Sequence, residues 1–107
     1  VVQSTSPHFA RQSYWCVVET IRAVGVNAWP YHVYVPSFGE WGFVMASRGE
    51  WTMPERLPAG LRFLDAQQMP AMFEFPPDMA AVASDVNRLD NQALVQYYER
   101  EWSAVTR

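Results

Sequence analysis

Val26-Asn27-Ala28-Trp29-Pro30-Tyr31-His32-Val33-Tyr34-Val35, then Pro36-Ser37-Phe38-Gly39-Glu40, then Trp41-Gly42-Phe43-Val44-Met45-Ala46 is the stretch that decides the fold. Its first ten residues alternate. Trp29, Tyr31, Val33 and Val35 fall on one side, and Ala28, His32 and Tyr34 on the other, which is the two-residue period of a strand. Pro30 lacks an N–H to give to a ladder, so the strand is expected at a sheet edge or at a bulge. Residues 36–40 carry Pro, Ser and Gly and read as a turn, and residues 41–46 read as a second strand. Two strands joined by so short a loop pair antiparallel.

Upstream, residues 1–4 read as the end of a buried strand. With no Met ahead of them, a fragment of a longer protein is expected. Ser6-Pro7 is a helix start, with Ser as cap and Pro at the first helical position. Tyr14, Val17, Val18 and Ile21 recur at i, i+3, i+4 and i+7, one face of a helix running from Pro7 or Ala10 to Val24. Gly25 supplies a left-handed C-cap. The order strand, helix, strand, hairpin strand is that of the last part of an α/β sheet.

Downstream, residues 47–60 read as an irregular excursion, and Pro70 breaks any long helix. Asp90 is positioned to cap a final helix in which Leu94, Tyr98 and Trp102 share a face. Without repeats or linkers, residues 1–107 form a single unit.

Half the residues are hydrophobic, which excludes a disordered chain. The net charge is −3 and the eight basic residues are scattered Arg, so no basic stripe exists for nucleic acid. The apolar runs are too short to span a membrane. Cys16 is the sole cysteine, and with only His8 and His32 beside it no closed zinc set is present, so no metal is expected.

Catalytic motifs are sparse. There is no G-x-G-x-x-G, G-x-S-x-G or P-loop. Ser4, Ser6 and His8 lie close in sequence, but helix-start hydroxyls and a surface His explain them without a nucleophile. Gln3 ends the first strand, and open α/β sheets bind ligands in the crevice outside the carboxyl ends of their strands. Its carboxamide can accept from an ammonium or donate to a hydroxyl, or simply satisfy loop amides. Phe38 and Trp41 are suited to wall a pocket for an alkyl or cationic ligand, or to serve as ordinary hairpin packing.

Val1-Val2-Gln3-Ser4-Thr5-Ser6-Pro7, Tyr14 to Thr20, and above all Pro30 to Phe43 together resemble the C-terminal part of the spermidine synthase (polyamine aminopropyltransferase) family. Arg62-Phe63-Leu64-Asp65 and Ala71-Met72-Phe73-Glu74-Phe75-Pro76 extend the likeness. The Ser37-Phe38-Gly39-Glu40-Trp41-Gly42-Phe43 block is similar to a bacterial branch whose full-length members carry membrane helices ahead of the enzyme domain. That implies a segment at the cytoplasmic face, itself without membrane contact, in a parent anchored upstream.

The resemblance implies a C-terminal fragment of a Rossmann-like, class I methyltransferase-type fold: strand, helix, antiparallel hairpin and C-terminal helices. It also implies a transferase. Such enzymes move an aminopropyl group from decarboxylated S-adenosylmethionine, the co-substrate, to putrescine or a similar amine. The family's Gly-rich loop and its Asp-x-x-Asp base element lie upstream of the matching segment, and no Asp-x-x-Asp occurs here. The fragment alone is therefore expected to be inactive, with no catalytic residue of its own. Two substrate-binding positions carry over. Gln3 matches a Gln near the amine, and Phe38 falls where many members have an amine-contacting Tyr, in a turn here two residues shorter. Met69 stands where many relatives have His, so no role carries over there. The alternative is a family relative without catalysis that serves binding or assembly. The uncovered edge of the first strand leads us to expect a homo-oligomer.

Overall fold

The structure, a computed structural model, describes residues 1–37, 39–54, 57–61 and 68–106. Phe38 and the Arg62-Phe63-Leu64-Asp65 stretch lie outside the described residues.

Strand β1 (Val2–Gln3) leads into helix α1 (Arg11–Ala23), followed by β2 (Asn27–Val35) and β3 (Gly39–Ser47). Two helices complete the described elements, α2 (Met69–Met72) and α3 (Ala93–Thr106). The α/β expectation holds. The hairpin pairs in unbroken register from Asn27↔Ser47 to Val35↔Gly39, and β1 adds on the other side of β3 with Val2↔Val44 and Gln3↔Phe43. Both neighbours run antiparallel to β3, so the order is β1-β3-β2 and the two outer strands point the same way. Pro30 sits on the edge strand β2 opposite Val44, where its missing N–H costs no ladder bond.

One sheet face carries α1. Tyr14, Trp15 and Val18 of the helix pack with Ala28 and Val44 of the sheet, and Val17, Ile21, Phe75 and Val82 close around them. Burying each large side chain stabilises the fold by about 1.5–3 kcal/mol. The closest approach is at Gly42, where a Cβ would stand 2.2 Å from Tyr14 Cε1 and 2.6 Å from the Thr5 carbonyl. Only a glycine lets the ring lie flat on β3. Having crossed the strand there, the Tyr14 hydroxyl donates to the Phe43 carbonyl at 2.8 Å and contacts that of Tyr31 at 3.2 Å. Burial pushes that hydroxyl above its ordinary range, so it stays a donor.

The C-terminal half is tied on through α1. Arg11 Nε donates to the Ala80 carbonyl (2.8 Å), Trp15 Nε1 to that of Met79 (3.0 Å), and Thr20 Oγ1 accepts from the Asn87 amide (2.9 Å). An irregular segment can lie against a helix only when its backbone polar groups find such partners. The Cys16 thiol, fully buried and in contact with the Asp85 carbonyl, is pushed up by desolvation.

The caps of both helices depart from expectation, while α1 starts next to Ala10, the later of the two starts offered. Ser6 Oγ accepts from the amides of His8 and Phe9, so it caps a preliminary turn, and α1 begins at Arg11. The free amides of Gln12 and Ser13 are instead bonded at 2.9 Å each by the carboxylate of Glu101, on α3. At α3 the left-handed turn at Gln92 (φ 46°) brings Asn91 Oδ1 onto the Ala93 amide, and Asn87 takes that of Leu94. Those two residues, rather than Asp90, are the cap. Gly25, in the left-handed region (φ 83°), ends α1 as expected.

Candidate functional site

Strand register decides where the candidate residues point. Tyr31 and Phe43, paired across the hairpin, stack at 5.4 Å on the face away from α1. Gln3 pairs with Phe43 from the other side and shares that face. Alternation adds Val33, Val35 and Trp41. Trp51 and Phe73 cover the far end of this face, with ring centroids 5.9 Å from Trp29 and 5.2 Å from Tyr31. The near end is left open. There Gln3, Val35, Trp41 and Phe43 line a cavity of about 320 Å³.

Gln3 is exposed at the carboxyl end of β1, and its carboxamide has no hydrogen-bond partner among the described residues. A carboxamide oxygen facing two aromatic rings can accept from an ammonium whose methylenes and cationic head lie against those rings. Phe38, the second candidate, lies outside the described residues, although both flanks of its turn, Ser37 and Gly39, are described. Phe43 and Val35 were not singled out in the sequence. The signal that finds them is the pairing register.

The opposite face of the hairpin end is braced. His32 Nε2 donates to the Glu74 carbonyl at 2.5 Å, while Nδ1 and Glu40 Oε2 share a hydrogen bond at 2.8 Å. Phe75 packs on the imidazole at 4.8 Å. This clip holds β2, β3 and residues 74–75 together behind the cavity.

The Ser–His possibility dissolves. His8 Nδ1 faces Asp78 Oδ2 at 3.3 Å, but Ser6 Oγ is spent on backbone amides. No helix among the described residues is long and apolar enough to cross a membrane.

Comparison with known proteins sets this geometry in context. The chain is 52% identical over 97% of its length to a polyamine aminopropyltransferase of Leptospira interrogans. It is 49% identical over its whole length to polyamine aminopropyltransferase 2 of Ralstonia nicotianae, and 38% identical over 95% to a polyamine aminopropyltransferase of Mycobacterium tuberculosis. It spans about a fifth of the length of these relatives (20–21%). No protein-family model matches the chain, and no solved structure matches it. The resemblance carried by the hairpin block is borne out, on the C-terminal part of bacterial polyamine aminopropyltransferases.

Proposed function

We propose that this segment of the polyamine aminopropyltransferase family forms the amine-side wall of an aminopropyltransferase active site. The observation that carries the reading is Gln3 at the end of β1, without a hydrogen-bond partner among the described residues and set against Trp41 and Phe43 around one cavity. In the complete enzyme an amine nitrogen attacks the aminopropyl carbon of decarboxylated S-adenosylmethionine. The carbon–sulfur bond breaks with its electron pair going to sulfur, methylthioadenosine leaves, and the new ammonium gives a proton to a carboxylate. That carboxylate and the nucleoside-binding loop belong, on the family resemblance, to upstream sequence. The segment alone would then be inactive, and its own part is to orient the amine and exclude water.

The same reading takes β1-β3-β2 as the terminal part of a Rossmann-like sheet, with β1 as its last parallel strand. Two outer strands pointing one way around a reversed β3 support it. Phe38 is retained as an amine contact by sequence position, offering a ring face where relatives offer a hydroxyl. Putrescine or a similar amine is the acceptor, and a parent anchored through upstream helices would hold the segment at the cytoplasmic face.

Gln3→Ala in the complete enzyme tests this. Loss of a hydrogen bond to an ammonium costs about 1.5–3 kcal/mol, or roughly 10- to 150-fold in kcat/KM for the amine. The constant for the nucleoside substrate stays unchanged. Equal losses for both substrates, with a lowered Tm, would make Gln3 structural and overturn the assignment.

A further inference from the structure

His32 on β2 and Glu40 on β3 are diagonal neighbours on the face toward α1, since His32 pairs with Gly42 and Glu40 with Tyr34. Both ring nitrogens of His32 meet acceptors. Nε2 lies 2.5 Å from the Glu74 carbonyl, and Nδ1 lies 2.8 Å from Glu40 Oε2. A carbonyl can only accept, so one hydrogen is committed at Nε2, and a neutral imidazole then presents a lone pair at Nδ1. That lone pair would repel an ionised carboxylate. The 2.8 Å contact therefore holds one further proton, shared between Nδ1 and Oε2. The two side chains are 13% and 29% exposed, so water screens the pair only in part. Neither has a further ion-pair partner among the described residues. The ionisable groups around them do not compete for the proton. From α1, the Tyr14 hydroxyl is spent on the carbonyls of Tyr31 and Phe43, while Tyr34 and the side chain of Glu74 are exposed.

What the bond fixes is the end of the hairpin. Glu40 sits between Gly39, turned into the left-handed region at φ 81°, and Trp41, which lines the smaller cavity with Gln3, Val35 and Phe43. Val35 in turn pairs with Gly39, so both strands of the cavity wall leave the turn beside Glu40. We propose that His32 and Glu40 are positioning residues, a proton-held brace that keeps Trp41 and the turn ahead of Gly39 in place behind the acceptor amine. The inference rests on the reading of this cavity as the amine side of the site. When the shared proton leaves, the Glu40 half of the brace opens and the bond from Nε2 to Glu74 stays. The hairpin end then loosens while Phe73, next to Glu74, remains on Tyr31. The brace is whole at low pH and is lost as pH rises.

The test is the pH dependence of kcat/KM for the amine in the complete enzyme, with Glu40→Gln and Glu40→Ala compared with the parent. The Gln amide donates to a neutral Nδ1 and closes the same bond without the shared proton. The amine itself titrates identically for every variant, so the ratio of variant to parent isolates the brace. The range is about pH 6 to about pH 9, in which an imidazole paired with a carboxylate loses its proton. Across it the Glu40→Gln ratio rises about tenfold as the parent's bond opens, with the constant for the nucleoside substrate unaffected. Glu40→Ala lacks the bond throughout. Its amine constant starts about tenfold below the parent and converges on it at high pH, a loss short of the roughly hundredfold that a one-ångström misplacement costs. Should Glu40→Ala fail to fold, the Glu40→Gln ratio alone decides. A ratio that stays flat with pH, or equal losses for amine and nucleoside, overturns the inference. If Gln3→Ala still impairs the amine selectively under that outcome, the proposed function stands and only the brace falls.

Discussion

Replacing Gly42 by Ala is the sharpest probe of how the helix is seated on the sheet. The added methyl would stand 2.2 and 2.4 Å from two carbons of the Tyr14 ring and 2.6 Å from the Thr5 carbonyl oxygen. Ordinary carbon contacts begin at about 3.5 Å, so the ring must retreat by more than an ångström. It has no room to do so. Tyr14 is fully buried, its edge meets Trp15 at 5.2 Å, and its hydroxyl is anchored on the Phe43 carbonyl. Overpacking together with a weakened buried hydrogen bond gives a loss of about 2–4 kcal/mol. For a chain of this size that corresponds to a fall in Tm of roughly 10–30 °C. Urea unfolding followed by circular dichroism reads the effect. Gly49→Ala is the control, because nothing lies within 4 Å of the Cβ it would add, and its change should stay within about 0.5 kcal/mol. In a Tyr14→Leu background the cost of Gly42→Ala should shrink by at least about 1 kcal/mol. Equal midpoints for the two glycine variants would refute the ring-on-strand packing.

Glu101→Ala strips two α1 amides and the Ser13 hydroxyl of their acceptor and should cost about 1–3 kcal/mol, with Glu101→Gln recovering part of it. An unchanged Tm would sever the link between α3 and α1. Because the folded chain keeps the Tyr14 proton that the unfolded chain releases near 10.0, its contribution is whole below that pH. It is lost as pH climbs through the raised folded value, and Tyr14→Phe should flatten this alkaline decline in denaturation midpoints. The outer edge of β1 meets no strand among the described residues, so the isolated chain should associate through it as a homo-oligomer, and strictly monomeric light scattering at high concentration would count against this.

What could be read in the sequence was what neighbouring residues dictate to one another. The alternation around Trp29 to Val35 and the Pro-Ser-x-Gly turn specify a hairpin, because side chains two apart share a face and the turn sets the pairing. The i, i+3, i+4 stripe from Tyr14 to Ile21 and the glycine behind it specify α1 for the same local reason. Gln3 was legible from its place at a strand end and from the family likeness. Its environment was not. That Gln3 faces Phe43 and Trp41 follows from β1 lying in register against β3, a pairing across some forty residues that no local pattern encodes. Likewise Glu101 reads as one more surface charge on α3 until the chain returns and sets it on α1, 88 residues away. Of the two starts offered for α1, Ala10 rather than Pro7 is the right one, and the Ser6 cap belongs to the turn before it: a free amide takes whichever acceptor the tertiary fold delivers, and the Ser6 hydroxyl is used one turn earlier. Elements came from local periodicity, and the site came from packing, because a cavity is made of surfaces that meet only after the chain has closed on itself.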